Sequence, residues 1–84
     1  MDLNAKADAV SSRDQFVDFL NALRQDAATH PEEWQNKTLD EYLEALSAWV
    51  QDMDGYYKNN NRPVPTSPGW KNLAEMMLAA KYYE

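Results

Sequence analysis

An 84-residue chain has room for one small domain and one core, which disfavours a large buried catalytic cleft. With 44% hydrophobic and 12% aromatic residues it is too apolar to stay disordered. With no cysteine it has no disulfide, thiolate zinc site or cysteine nucleophile. A formal charge of -6 speaks against a nucleic-acid binder, which needs clustered Lys and Arg, and favours a basic protein partner.

The opening MDLNAKADAV lacks the apolar run of a secretory signal, and no stretch approaches the roughly 20 apolar residues of a membrane span. The expectation is a soluble cytoplasmic protein with no membrane partner. Residues 1–11 are polar without a sustained apolar period and read as a flexible N-terminal arm or a frayed extra turn, with residues 12–84 as a single helical domain.

The first clear element opens at Ser12, where Ser12-Arg13-Asp14-Gln15 fits a capping box. Phe16, Leu20, Leu23 and Ala27 follow at helical spacing, with Phe19 widening the stripe. Pro31 disfavours helical geometry at His30, so this helix ends near Thr29. Pro31-Glu32-Glu33-Trp34 then suits a short turn of helix with acids at its positive end. His30 is the only histidine; with no second ligand nearby it makes neither a metal site nor a triad, and its predicted role is at the last carbonyls of the first helix.

Thr38-Leu39-Asp40-Glu41 is a stronger capping box, because two acids also occupy the first turn. Leu39, Tyr42, Leu43, Leu46, Trp49, Val50 and Met53 run on from it and predict the central helix of the core. Gly55 can end that helix in a left-handed conformation, unless it is merely tolerated and Tyr56-Tyr57 prolong the helix. Asn59 to Pro68 holds three Asn and three Pro and reads as a connector, with Ser67 and Pro68 opening a last helix whose inner face is Trp70, Leu73, Met76 or Met77, and Ala80.

The fold expected is therefore all-α: a small bundle of three principal helices, a short connecting helix and a Pro/Asn-rich loop. Its predicted core is Phe16, Leu20, Leu23, Trp34, Leu39, Leu43, Leu46, Val50, Trp70, Leu73 and Met77, with Trp49 at the edge.

The densest candidate for function is DMDGYYKNNNRPVP, residues 52–65. As a calcium loop it fails: with Gly55 at the sixth position, Val50 falls at the first and Asn61 at the twelfth, where an EF-hand needs acids. No metal and no cofactor is expected. Asp40, Glu41 and Glu44 are paired acids at a helix start, where a solvated face is the simpler reading than acid–base work. Tyr and Arg dominate interface hot spots, so Tyr56, Tyr57, Arg62 and Val64, with Asp52 and Asp54, form the candidate binding patch. Between positions 32 and 54, seven acids stand against Lys37 alone, an asymmetry suited to steering a basic partner.

LDEYLEALSAWVQDMDGYYKN, followed by RPVP, SPGW and LAAKYYE, resembles a family of short bacterial proteins of unknown function. The TLDEYLEAL…DMDGYY…SPGW pattern covers the chain from about Ser12 to Glu84. The resemblance implies a self-contained domain and brings no activity or site residue with it. The leading expectation is a non-enzymatic protein–protein interaction module, in a specific version an immunity- or antitoxin-like inhibitor of a basic partner. The alternatives are a structural homodimer and, ranked below it, a small-ligand binder.

Overall fold

The structure, a computed structural model, describes residues 2–65 and 67–83. Met1, Thr66 and Glu84, which belong to the expected arm, connector and domain end, lie outside the described residues. The chain folds as an all-α bundle: α1 (Leu3–Asp8), α2 (Arg13–Thr29), a single 3-10 turn (Pro31–Glu33), α3 (Leu39–Asn59) and α4 (Trp70–Ala79). The described residues form no strand.

The caps decide where these helices begin. Ser12 Oγ accepts the Gln15 amide at the start of α2, while the Gln15 side chain takes the amide and hydroxyl of Ser11 rather than reaching Ser12. At α3 the box is complete: Thr38 Oγ1 accepts from the Glu41 amide, and Glu41 Oε1 accepts from the amides of Thr38 and Lys37. Those amide donors hold the Glu41 carboxyl below its ordinary pKa. For α4, the cap is Gly69 in place of the expected Ser67 and Pro68, with Asn72 Oδ1 accepting the Gly69 amide.

Three further expectations change. The segment 1–11, expected to be a loose arm, contains α1: Asp2 caps it through the Asn4 amide, and Leu3, Ala7 and Val10 are buried against Phe19, Leu23 and Leu78. Alanine supplies part of that stripe, so the apolar period is faint in sequence yet complete once a partner surface exists. Next, α3 runs through Gly55, where a side chain would meet open space, and stops at Asn60. The left-handed residue is Asn61 (φ 55°), and the amides of Asn61 and Arg62 return to the carbonyls of Lys58 and Tyr57, a Schellman closure. The opening half of DMDGYYKNNNRPVP is thus helix, and only its second half is connector.

Finally, the central helix is α4, not α3. α1, α2 and α3 all pack on α4, whereas the α3 backbone comes close to no other helix among the described residues. Ala74 and Ala80 are fully buried in α4 and its C-cap, which lets neighbouring backbones come close.

This layout sets the core. Leu23 and Trp34 are buried as expected, and Phe16, Leu20, Leu46, Leu73 and Met77 are half-buried. Leu39, Leu43, Val50 and Trp70 are exposed instead. Trp49, expected at the edge, is 7% exposed and anchors a cluster with Tyr57 and Met76, while Phe19 sits fully inside. Over its first three turns α3 half-buries Tyr42 and buries Ala45 and Trp49, a stripe rotated from the predicted Leu39, Leu43 and Val50. Leu46 packs at the Trp49 cluster as expected, and Tyr57, in line with Leu39, is buried only in the last turn.

Candidate functional site

Two polar clusters brace α4. In the first, Lys81 Nζ lies 2.8 Å from Asp26 Oδ2, and the Trp34 indole N–H donates to the same oxygen at 2.8 Å. Lys81 is only 2% exposed, so this is a buried ion pair with an aromatic wall, the ammonium 5.6 Å from the Trp34 ring. The hydrogen bond from Lys81 holds the Asp26 carboxyl below its ordinary pKa against the opposing effect of burial. Around it the amides of Gln35 and Asn36 donate to the Lys81 carbonyl, and the Asn36 side chain donates to the carbonyls of Ala80 and Tyr83.

The second cluster absorbs half of the predicted patch. Arg62 donates to both oxygens of Glu75, at 2.8 and 3.1 Å, and the Tyr57 hydroxyl donates to Glu75 Oε1 at 3.1 Å. Asn72 donates to the Tyr57 hydroxyl at 3.3 Å, and the Arg62 guanidinium lies 4.9 Å from the Tyr57 ring. Tyr57 is 1% exposed, and burial raises its phenol above its ordinary pKa. The Glu75 hydrogen bond likewise raises Arg62. Val64 is half-buried against the Trp49 cluster. Tyr57, Arg62 and Val64 therefore fasten the connector to α4.

Tyr56, Asp52 and Asp54 stay outside. Tyr56 packs on Trp49 with ring centroids 5.5 Å apart, Asp52 accepts from the Tyr83 hydroxyl, and Asp54 is exposed. The six predicted residues form an inner brace and an outer rim rather than one surface.

The chemistry available is limited. No group of three or more metal-ligating side chains occurs among the described residues. His30 Nδ1 stands 2.9 Å from Thr29 Oγ1 and 3.7 Å from Asp26 Oδ1. A nucleophilic relay needs two different ring nitrogens for those two contacts, and here one nitrogen faces both. The Thr29 hydroxyl also donates to the Gln25 carbonyl at 2.9 Å.

The feature that the predicted patch omitted is apolar. Leu39, Leu43 and Val50 are 74%, 52% and 38% exposed. They lie on one flank of α3, roughly 100° around from Tyr42 and Trp49. A groove of about 360 Å³ adjoins the start of this flank, its apolar wall made by Leu23, Trp34, Leu39 and Tyr42 and its rim including Arg24 and Lys37. The sequence signal was there: the apolar residues of α3 span a wider arc than one neighbouring helix can cover.

DUF7660, a family of unknown function, matches residues 12–84. The chain belongs to that family. No curated protein and no solved structure matches it. The DUF7660 match opens at the N-cap of α2 and includes both polar braces, the groove and the exposed flank. It leaves out α1, although α1 packs into the same core. No helix among the described residues is long and apolar enough to cross a membrane.

Proposed function

We propose that this DUF7660 chain is a non-enzymatic protein–protein interaction module that docks a basic amphipathic helix along the exposed flank of α3. The observation that carries this reading is the exposure of Leu39, Leu43 and Val50 on a flank that no other helix covers. Acids bound the flank at both ends: Asp40 lies three residues before Leu43, and Asp54 four residues after Val50, both neighbour positions on a helix surface. Arg62 and Lys81 are consumed by Glu75 and Asp26, so outside those two pairs the chain keeps twelve of its 14 acids and six of its eight basic residues. Such a surface favours and steers a cationic partner. An immunity- or antitoxin-like inhibitor of a basic protein is the specific version of this role.

The test is affinity capture with wild type and a Leu39→Ser/Leu43→Ser variant, with matched circular dichroism melts. A partner lost with the variant and progressively released by salt supports the reading. A partner retained by both places the contact elsewhere.

A second reading, a homodimer through the same groove, has one observation in its favour. The accessible surface is 5634 Å², against roughly 5,100 Å² for a compact monomer of this mass. Sedimentation velocity over a wide concentration range separates the two readings, since only the second makes wild type self-associate and the variant monomeric.

A further inference from the structure

Further along α3 from the apolar groove, beside Trp49 and Tyr56, lies a half-open cavity of about 280 Å³ formed by three separate parts of the chain. α3 supplies Trp49 and Tyr56, α1 supplies Asp8, α4 supplies Glu75 and Leu78, and Tyr82 follows α4. Aromatic rings and carboxylates thus share one small chamber, and no basic side chain lines it.

The rings are already used as cation platforms. The Lys81 ammonium lies 4.9 Å from the Tyr82 ring, and the Arg62 guanidinium 6.0 Å from the Tyr56 ring. Neither cation lines the cavity. Each is neutralised by its own carboxylate, Lys81 by Asp26 and Arg62 by Glu75, so neither adds net positive charge opposing a ligand. The ring faces attract cations through their quadrupole, and the effect strengthens where water is excluded. Asp8 is exposed and has no side-chain partner among the described residues, which leaves its charge available at the mouth. The cavity falls just below the roughly 300–1,000 Å³ typical of sites for drug-sized ligands, which suits a single small group rather than a nucleotide.

We infer that this chamber is a binding site for an alkylammonium group, held against Trp49, Tyr56 and Tyr82 with Asp8 supplying the counter-charge. The group belongs either to a free amine or to a lysine side chain of a bound protein. The site stands apart from the apolar flank, so its failure would leave the docking proposal intact.

The test is titration of the full chain with choline, followed through the Trp49 indole N–H resonance. A parallel titration uses the neutral alcohol in which carbon replaces the choline nitrogen. A capped lysine amide forms the third arm. Saturable shifts with the cations and none with the neutral alcohol are expected. A tighter response to capped lysine assigns the site to a protein side chain, and a tighter response to choline to a free amine. Tyr82→Leu should weaken binding about tenfold, and Asp8→Asn severalfold, both at exposed positions where the fold survives. Unchanged melting curves would confirm that survival. Equal shifts with the neutral alcohol, no saturable shift with either cation, or undiminished binding by the folded Tyr82→Leu variant would overturn the assignment.

Discussion

Along one flank of α3, Tyr42 is half-buried and Ala45 and Trp49 are buried, whereas along the other Leu39, Leu43 and Val50 meet water. Both sets recur at helical spacing, so periodicity alone gives the helix without giving its buried side. The difference comes from neighbours: the α3 backbone runs close to a single helix, and one such neighbour covers only part of the apolar arc. Apolar surface beyond that arc is surplus to folding, and that surplus makes the second flank a candidate for recognition.

The largest effect should come from the covered flank. Trp49→Ala should cost about 3–5 kcal/mol in urea or thermal unfolding, a large share of the stability of so small a domain. If Leu43→Ala cost as much, the contrast between the flanks would collapse.

The Asp26–Lys81 pair sharpens the comparison, because it fixes the side of α4 away from α3. Asp26→Ala strands a buried ammonium whose next carboxylate, on Glu33, is 4.0 Å away, and should cost about 3 kcal/mol. The Asp26 pKa is lowered by folding. Its contribution is therefore complete above the unfolded carboxylate value near ~3.9 and is lost as pH falls through the lower folded value. Acid unfolding of wild type should carry this loss below about pH 4, and that component should be missing from Asp26→Asn.

Tyr42 stands at the border between the flanks, its hydroxyl donating to the Met77 carbonyl at 2.6 Å. Burial pushes its phenol up to about 12. The sign is opposite to that of Asp26: the contribution is full below the unfolded tyrosine value near ~10 and disappears as pH rises towards about 12. Tyr42→Phe should cost about 1 kcal/mol at neutral pH and should remove this alkaline component from the melting curve.

The smallest effect belongs to the open flank. Leu39→Ser/Leu43→Ser should move stability by no more than about 0.5 kcal/mol per site, because exposed side chains have little burial to lose. A substantial loss of stability in monomeric protein would show that this flank is covered after all.

What the sequence revealed was what neighbouring residues decide among themselves. Ser12 and Thr38 marked the helix starts through caps made three residues away, and Pro31 marked the break between α2 and the 3-10 turn. The failures were non-local. α1 carries too little apolar area to stand out until Phe19 and Leu78 receive Leu3, Ala7 and Val10. The rotation of α3 depends on where α4 lies, which no helical pattern within α3 encodes. Asp26 and Lys81 meet across 55 positions, and Arg62 and Glu75 across 13. The predicted patch grouped Tyr56 with Tyr57, yet one helical step, roughly 100°, separates a ring on the rim from a ring in the core.

The central place of α4 also sets a timetable for the chain. The helix on which α1, α2 and α3 all rest is the last of the four to be synthesised. While a ribosome is still adding the connector, Trp49 and Tyr57 have no α4 to cover them, and Asp26 has no Lys81. Structure on α4 therefore waits on translation: a nascent chain halted before Trp70 should be open to protease around Trp49 and Tyr57, and emergence of α4 should close three interfaces together.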